Sequence, residues 1–113
     1  IGDDPGGTPD WSKSFKVEKH FSRQGMLLSM RVRGMTLSPD GALVRMDGNP
    51  VGKIMPRKDL GSDVWYTETL VVENASPNLD KEVKIEGAIY PGGLDDFFVK
   101  DMILTYRKIV STD

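Results

Sequence analysis

Residues Ser38–Ile54 read SPDGALVRMDGNPVGKI, and this stretch contains the local pattern that decides the fold. Ser38-Pro39-Asp40-Gly41 is a turn cluster, and the apolar-rich run Ala42–Met46 follows it. Asp47-Gly48-Asn49 then places residues that tolerate positive φ before a second run, Val51–Ile54. An Asp-Gly pair between two apolar runs is typical of a β-hairpin. The stretch therefore predicts two antiparallel strands joined by a tight turn with at least one residue at positive φ.

Alternation of apolar and polar side chains continues along most of the chain after Trp11. In Val64–Val72 the neighbours Trp65 and Tyr66 fall on opposite faces, so one of them should be in the core and the other outward. Elsewhere the alternation assigns to inward faces Phe15, Val17, Phe21, Met26, Leu28, Met30, Val32, Val83, Ile85, Ile89, Phe98, Met102, Leu104 and Tyr106. Turn signals separate these runs, which predicts an all-β fold, an antiparallel β-sandwich of about eight short strands with little or no helix.

The chain has 113 residues, the size of one domain. We expect residues 11–113 to form a single β-sandwich domain, and residues 1–10, rich in Gly, Pro and Asp, to be a linker or a flexible N-terminal arm. The alternative for that segment is an ordered calcium loop formed by Asp3, Asp4 and Asp10. Because the first residue is not Met, we expect a processed product or a domain of a parent chain that has other domains.

Charge and composition narrow the range of partners. The formal net charge is -2, without the basic footprint of a nucleic-acid binder, and no apolar run approaches the ~20 residues of a membrane span. There is no cysteine, which excludes disulfides and thiolate metal sites. We expect an extracellular or cell-surface protein of bacterial or viral type rather than an animal secreted domain, with a cytosolic location as the alternative.

Three stretches of the chain resemble the galactose-binding-domain-like jelly rolls found in many carbohydrate-binding modules. They are Leu43–Ile54 (LVRMDGNPVGKI), Asn78–Gly87 (NLDKEVKIEG) and Phe97–Tyr106 (FFVKDMILTY). In the second stretch Lys81-Glu82-Val83 departs from the Gly and Asn usual in that family. The resemblance implies a jelly-roll sandwich and a non-catalytic, carbohydrate-binding role as an accessory domain.

Catalytic residues are not indicated. His20 is the only histidine, and the sequence contains no Gly-x-Ser-x-Gly elbow for a nucleophilic serine. Asp95 and Asp96 are adjacent, whereas paired glycosidase carboxylates normally come from separate elements. These two residues are interpreted either as part of a solvated loop or, with Asp101 as a third ligand, as a structural calcium site. We therefore expect that the domain is not an enzyme.

Aromatic and polar side chains are the candidates for ligand binding. Sugar rings stack on exposed aromatic rings while polar groups hold the hydroxyls. The aromatic candidates are Trp11, Trp65, Tyr66 and Tyr90, and their expected polar partners are Asn49, Arg31 and Lys53. Core packing is the alternative for each aromatic. A basic patch suited to an acidic polysaccharide would form if neighbouring strands carry Arg31, Arg33, Lys53, Arg57 and Lys58.

Two functions fit these features. The first is a non-catalytic module that binds a polysaccharide or glycan, as an accessory domain of a larger exported protein. The second is a structural or assembly domain that mediates protein–protein contacts in a surface appendage, virion or scaffold. Exposed aromatics beside polar groups would favour the first function, and exposed apolar strand surface would favour the second.

Overall fold

The protein is built almost entirely from β-strands. A computed structural model describes residues 1–3, 7–90 and 93–109, except for the side chain of Tyr90. Within these residues there is no α-helix, only a single 3₁₀ turn at Lys58–Leu60. The nine strands are β1 (Trp11–Lys16), β2 (Met26–Arg33), β3 (Ala42–Met46), β4 (Asn49–Ile54), β5 (Tyr66–Val72), β6 (Asp80–Ile85), β7 (Ala88–Tyr90), β8 (Gly93–Asp95) and β9 (Phe98–Thr105). The predicted all-β fold is confirmed, with nine described strands rather than about eight.

The strands form two packed sheets and one small hairpin. A four-stranded sheet has the order β1-β6-β3-β4, a three-stranded sheet has the order β5-β2-β9, and β7 pairs with β8. Every pairing between these strands is antiparallel. The inner faces of the two sheets share one apolar core, to which the strands contribute Met26, Leu28, Met30, Val32, Ala42, Val44, Met46, Leu70, Val72, Val83, Ile85 and Met102. This is the predicted antiparallel β-sandwich.

The β3–β4 hairpin turns as its sequence predicts. Met46 pairs with Asn49, so only Asp47 and Gly48 lie in the turn. Their φ angles are 50° and 84°, and two consecutive positive φ values define the type I′ turn that suits a two-residue hairpin. The prediction of a tight connection with positive φ is confirmed.

Lys81 places a charge inside the core. It lies on the inward face of β6 with Val83 and Ile85, and its side chain is 0% exposed. Burying an ammonium group costs several kcal/mol, on the order of the effective desolvation penalty, unless the group is paired and hydrogen-bonded. The Lys81 Nζ donates to the Ser76 carbonyl oxygen, to the Ser76 Oγ at 2.8 Å and to the Asp47 Oδ2 at 3.4 Å. All three partners lie in loops, so those loops must be in place for the charge to be satisfied.

Asp47 connects this lysine to the hairpin turn. Its Oδ2 accepts from the Ser76 hydroxyl, and its Oδ1 accepts from the Glu82 backbone N–H at 2.8 Å. Burial alone would raise the pKa of Asp47, but the hydrogen bonds from Ser76 and Glu82 and the charge of Lys81 outweigh burial and lower that pKa. Asp47 is therefore a carboxylate held in its ionised form, and we call Asp47, Ser76 and Lys81 the Lys81 network.

The predictions that Phe98 and Ile89 face inward are wrong, because the alternation of inward and outward residues is interrupted in each case. Phe98 is 55% exposed, since the register between β2 and β9 shifts beside Asp101, whose φ is 52°. This β-bulge puts Phe98 outward on one side of it and Met102 inward on the other. Ile89 is 72% exposed, because β6 ends at Ile85 and Ala88 takes the buried position in β7.

The first residues pair with the segment before β9. Ile1 and Phe97 exchange backbone hydrogen bonds, both 2.9 Å long. The Asp3 N–H donates to the Asp96 Oδ1 at 2.9 Å, and the Asp3 Oδ2 accepts from the Leu94 N–H at 3.0 Å. Residues 1–3 of the segment predicted as a linker or arm are thus held against the domain. Asp4, named for a calcium loop, lies outside the described residues, as do Pro91 and Gly92.

Replacing Gly48 by Val should destabilise the domain by about 1–2 kcal/mol. A Cβ at Gly48 would meet no atom within 4 Å, so the expected cost comes from the positive φ alone. Urea denaturation measures the change in the free energy of unfolding. Gly48→Asn is the matched control and should cost less, because Asn tolerates positive φ. Equal stability of the Val variant and the parent protein would count against the turn.

Acid should weaken the Lys81 network. Because the folded-state pKa of Asp47 is lowered from its ordinary value of 3.8, the stabilisation is present above that value and is lost as pH falls through the folded-state pKa. Asp47→Asn should cost about 3–5 kcal/mol at neutral pH, since Lys81 would stay buried without its counter-charge. In urea titrations the gap between parent and variant should shrink as pH falls from about 6 to about 2. A gap that stays constant over this range would contradict the role assigned to Asp47.

Candidate functional site

The outward surfaces of the two sheets differ in chemistry. On the four-stranded sheet, cations meet carboxylates: Arg45 lies 2.8 Å from Glu86, and Lys84 lies 3.8 Å from Asp10. That surface is a solvated, charge-balanced one of the kind expected on any soluble domain. The outward surface of the three-stranded sheet, which we call the β5-β2-β9 face, carries aromatic, basic, hydroxyl and apolar side chains instead. It is the stronger candidate for a binding surface.

The strand register arranges the β5-β2-β9 face in rows. Each row has one residue of β2 in the middle and its partners on β5 and β9 beside it. From one end to the other, Arg33 lies opposite Phe98, Arg31 lies between Thr67 and Lys100, Ser29 between Thr69 and Ile103, and Leu27 between Val71 and Thr105. The first two rows form a basic aromatic half, to which Trp65 just before β5 also belongs, and Leu27, Val71 and Ile103 form an apolar half.

The cations of the basic aromatic half lie over rings. The guanidinium carbon of Arg33 is 5.0 Å from the centre of the Trp65 ring and 4.7 Å from that of Phe98. The Nζ of Lys100 is 4.1 Å from the Trp65 ring centre. Such contacts orient a cation without neutralising its charge. No ion pair between described residues involves Arg31, Arg33 or Lys100, so this half keeps a positive charge.

The apolar half is separated from the cations by hydroxyl groups. The hydroxyls of Ser29 and Thr69 lie 3.3 Å apart across the β2–β5 pair. Val71, in the next row, is 55% exposed, and Ile103, on the other side of Ser29 in the same row, is 58% exposed. Contiguous exposed apolar side chains on a rigid sheet are typical of a contact surface.

A cavity of about 340 Å³ opens at the basic aromatic end. Arg33 and Phe98 line both the cavity and the β5-β2-β9 face. Ser62, Asp63 and Asp96 also line it, which adds hydroxyl and carboxyl groups. The face therefore continues into a concave site with hydrogen-bonding groups, as binding sites for small polar ligands do.

The predicted aromatic ligand residues separate into surface and core positions. Trp65 is half-buried on the β5-β2-β9 face, whereas Tyr66 is 9% exposed and its hydroxyl donates to the Met55 carbonyl at 2.9 Å. Burial raises the pKa of Tyr66 to about 12, with a further contribution from Glu68. The expectation that one of Trp65 and Tyr66 is outward and the other in the core is confirmed.

Of the other predicted ligand residues, Arg31 joins Trp65 on this face and those on the other sheet do not. Arg31 lies on the same face, but Trp11 is half-buried in β1 of the other sheet. Asn49 and Lys53 are exposed on β4, and Asn49 lines a separate cavity of about 310 Å³ with Asn74. Tyr90 lies in β7, and its side chain is outside the described part of the structure. Of the six predicted ligand residues whose side chains the structure describes, Trp65 and Arg31 are the two that it brings together.

The predicted basic patch is divided in the same way. Arg31 and Arg33 share the β5-β2-β9 face, while Lys53 belongs to the four-stranded sheet. Arg57 is bound to Asp59, with 2.9 Å between its Nη2 and the carboxylate. The third cation of the face, Lys100, and the second ring, Phe98, were not predicted as site residues, because only the β9 bulge reveals their direction.

The three aspartates predicted to bind metal have separate environments. Asp95 is buried, and its Oδ2 accepts from the backbone N–H groups of Thr36, Leu37 and Ser38 at 2.8–3.0 Å. This carboxylate secures the loop after β2 to β8. Asp96 accepts from Asp3, and Asp101 is exposed at the β9 bulge. Over the described ranges, no group of three or more His, Asp or Glu side chains is placed to hold a metal ion.

Comparison of the chain with protein-family models, with curated proteins and with solved structures found no match. The resemblance to galactose-binding domains thus remains a prediction made from the residues. Across the parts of the chain that the structure describes, no helix has the length and apolar character needed to cross a bilayer.

Replacing the neighbours Trp65 and Tyr66 should have opposite consequences for stability. Tyr66→Ala removes a buried ring and should cost about 3–5 kcal/mol, whereas Trp65→Ala removes a half-buried ring with two cation–π contacts and should cost about 1–2 kcal/mol. Urea denaturation of both variants measures this difference. Tyr66→Phe, which removes only the hydrogen bond to Met55, should lose about 1 kcal/mol. If Trp65→Ala proved the more damaging change, the assignment of core and surface would be reversed.

Proposed function

We propose that this domain is a non-catalytic carbohydrate-binding module that holds a polysaccharide across the basic aromatic half of the β5-β2-β9 face. The observation that carries this proposal is the placement of Trp65 and Phe98 on either side of Arg33, on a hydrogen-bonded sheet. Aromatic rings bind the apolar faces of sugar rings, and an arginine between them donates to hydroxyl or acidic groups. A sheet also holds such groups in a fixed geometry before the ligand arrives.

The surroundings of these rings support the same function. Thr67, Ser29 and Thr69 add hydroxyl groups along the face, and the cavity of about 340 Å³ extends it beyond Arg33. These groups are of the kind that bind a ligand through stacking and hydrogen bonds, which is the non-catalytic role that we propose.

The wider setting of the domain is part of the proposal. The resemblance of Leu43–Ile54, Asn78–Gly87 and Phe97–Tyr106 to galactose-binding jelly rolls supports an accessory domain that acts outside the cell or at its surface. A structural calcium ion stays a prediction made from Asp95, Asp96 and Asp101, and the proposed function does not depend on it.

One observation favours a second function, a domain that mediates protein–protein contacts. The apolar half exposes Leu27, Val71 and Ile103 together. Neighbouring exposed apolar side chains are typical of protein contact surfaces, whereas sugars need polar partners at each ring. Sedimentation velocity would show self-association abolished by Ile103→Lys if this half were the functional contact.

Affinity electrophoresis and calorimetry against soluble neutral and acidic polysaccharides test the proposed function. The parent protein should bind at least one of them, and Trp65→Ala and Phe98→Ala should each weaken binding at least about tenfold, which is about 1.4 kcal/mol. Ile103→Ala is the matched control, because it removes an exposed side chain from the apolar half of the same face. If the two aromatic variants bind as the parent does, the basic aromatic half is not the binding site.

A further inference from the structure

We propose that the polysaccharide held by the β5-β2-β9 face is anionic, and that Arg31, Arg33 and Lys100 recognise its carboxylate or sulfate groups. This inference rests on the proposed function, namely that the face binds a polysaccharide. It adds the chemical class of the ligand and the residues that select this class.

The pairing of Arg31 with Lys100 is the first support. These residues are directly opposite each other in the β2–β9 register, and both are exposed on the same face. Like charges directly opposite across an antiparallel pair repel each other and destabilise the sheet. An anion bound between them would relieve this repulsion, so the face binds an anion more favourably than a neutral group.

The second support is that the rows of the face carry cations but no carboxylate, while the carboxylates of Asp63 and Asp96 line the cavity beyond Arg33. None of the ion pairs between described residues includes Arg31, Arg33 or Lys100. On the four-stranded sheet, by contrast, Arg45 and Lys84 are paired with carboxylates. Asp101 is next to Lys100 in the sequence, at the bulge, but the described ion pairs do not include a bridge between them. Glu68, the carboxylate of β5, is at an inward-facing position of that strand. Since the whole chain has a net charge of -2, the positive charge is local to this face.

The position of Arg33 determines how it would bind. Rings lie 5.0 Å and 4.7 Å from its guanidinium carbon, which holds the side chain over the face. The planar fork of guanidinium N–H donors matches the two oxygens of a carboxylate or sulfate group. Lys100 adds a point charge beside the same ring, since its Nζ lies 4.1 Å from the centre of the Trp65 ring that Arg33 also contacts.

The number of cations favours a polysaccharide over a nucleic acid. Nucleic-acid binders use wide basic surfaces, since affinity grows with the number of phosphates neutralised. This face offers three cations on two adjacent rows, beside the hydroxyls of Thr67 and Thr69. A polysaccharide with about one charge per sugar, and with hydroxyl groups between the charges, matches that arrangement.

Two matched pairs of polymers test the inference by isothermal titration calorimetry. One pair is polygalacturonate and its fully methyl-esterified form, and the other is dextran sulfate and dextran. The protein should bind a charged member at least about tenfold more tightly than its neutral partner, and added salt should weaken that binding. Preference for polygalacturonate would identify carboxylate as the recognised group, and preference for dextran sulfate would identify sulfate.

Charge-removing variants locate the binding. Arg31→Gln and Lys100→Gln should each weaken binding to the charged polymer at least about fivefold, whereas Lys16→Gln should not, because Lys16 is exposed on β1 of the other sheet. Thermal melts followed by circular dichroism confirm that each variant is folded. Binding that is unchanged in both face variants would overturn the inference.

Three further outcomes would also overturn it. Equal binding to charged and neutral members would show that charge is not recognised, although the proposed function would stand. Tighter binding to a single-stranded DNA oligonucleotide than to either polysaccharide would indicate a nucleic-acid surface instead. Binding to none of the four polymers would refute the anionic class, and the wider panel of neutral polysaccharides then decides whether the proposed function fails with it.

Discussion

The buried ammonium group of Lys81 constrains the sandwich more than any other single interaction. Its partners are Asp47 in the β3–β4 turn and Ser76 in the loop after β5. Strand β6, that turn and that loop must therefore come together around one charge. An unpaired charge in this position would cost more than most single side chains contribute to stability. The Lys81 network therefore fixes the hairpin against β6 and defines one end of the core.

The binding face depends on a second constraint, the bulge at Asp101. In a regular strand Phe98, Lys100 and Met102 would share one side, and Met102 could not reach the core while the other two face solvent. The extra residue lets β9 present Phe98 and Lys100 outward before the bulge and bury Met102 after it. Bulges often change the direction of side chains beside functional sites. Here the bulge lets Phe98 and Lys100 lie beside Trp65 and Arg33.

Local features were predictable from the sequence and non-local ones were not. The Asp47-Gly48 turn and the opposite directions of Trp65 and Tyr66 follow from residue type and alternation alone. Lys81 has the same parity as Val83 and Ile85, which signals an inward lysine, but its counter-ion is 34 residues away in sequence. The order β5-β2-β9 and the bulge, which together gather the cations, depend on pairing between distant segments. Asp101 tolerates positive φ, as Asp47 does, but no glycine follows it to mark a turn.

The most direct test is the location of a bound acidic oligosaccharide by nuclear magnetic resonance. Titration of the labelled protein with an oligomer of galacturonate should shift the Trp65 indole N–H, the Arg33 Nε–H and the β2 and β9 amides around Arg31 and Lys100. Signals from Arg45 and Lys84, on the outward surface of the four-stranded sheet, should stay in place. Shifts confined to that second surface, or no shifts at any ligand concentration that calorimetry shows to saturate binding, would contradict the assignment of the β5-β2-β9 face.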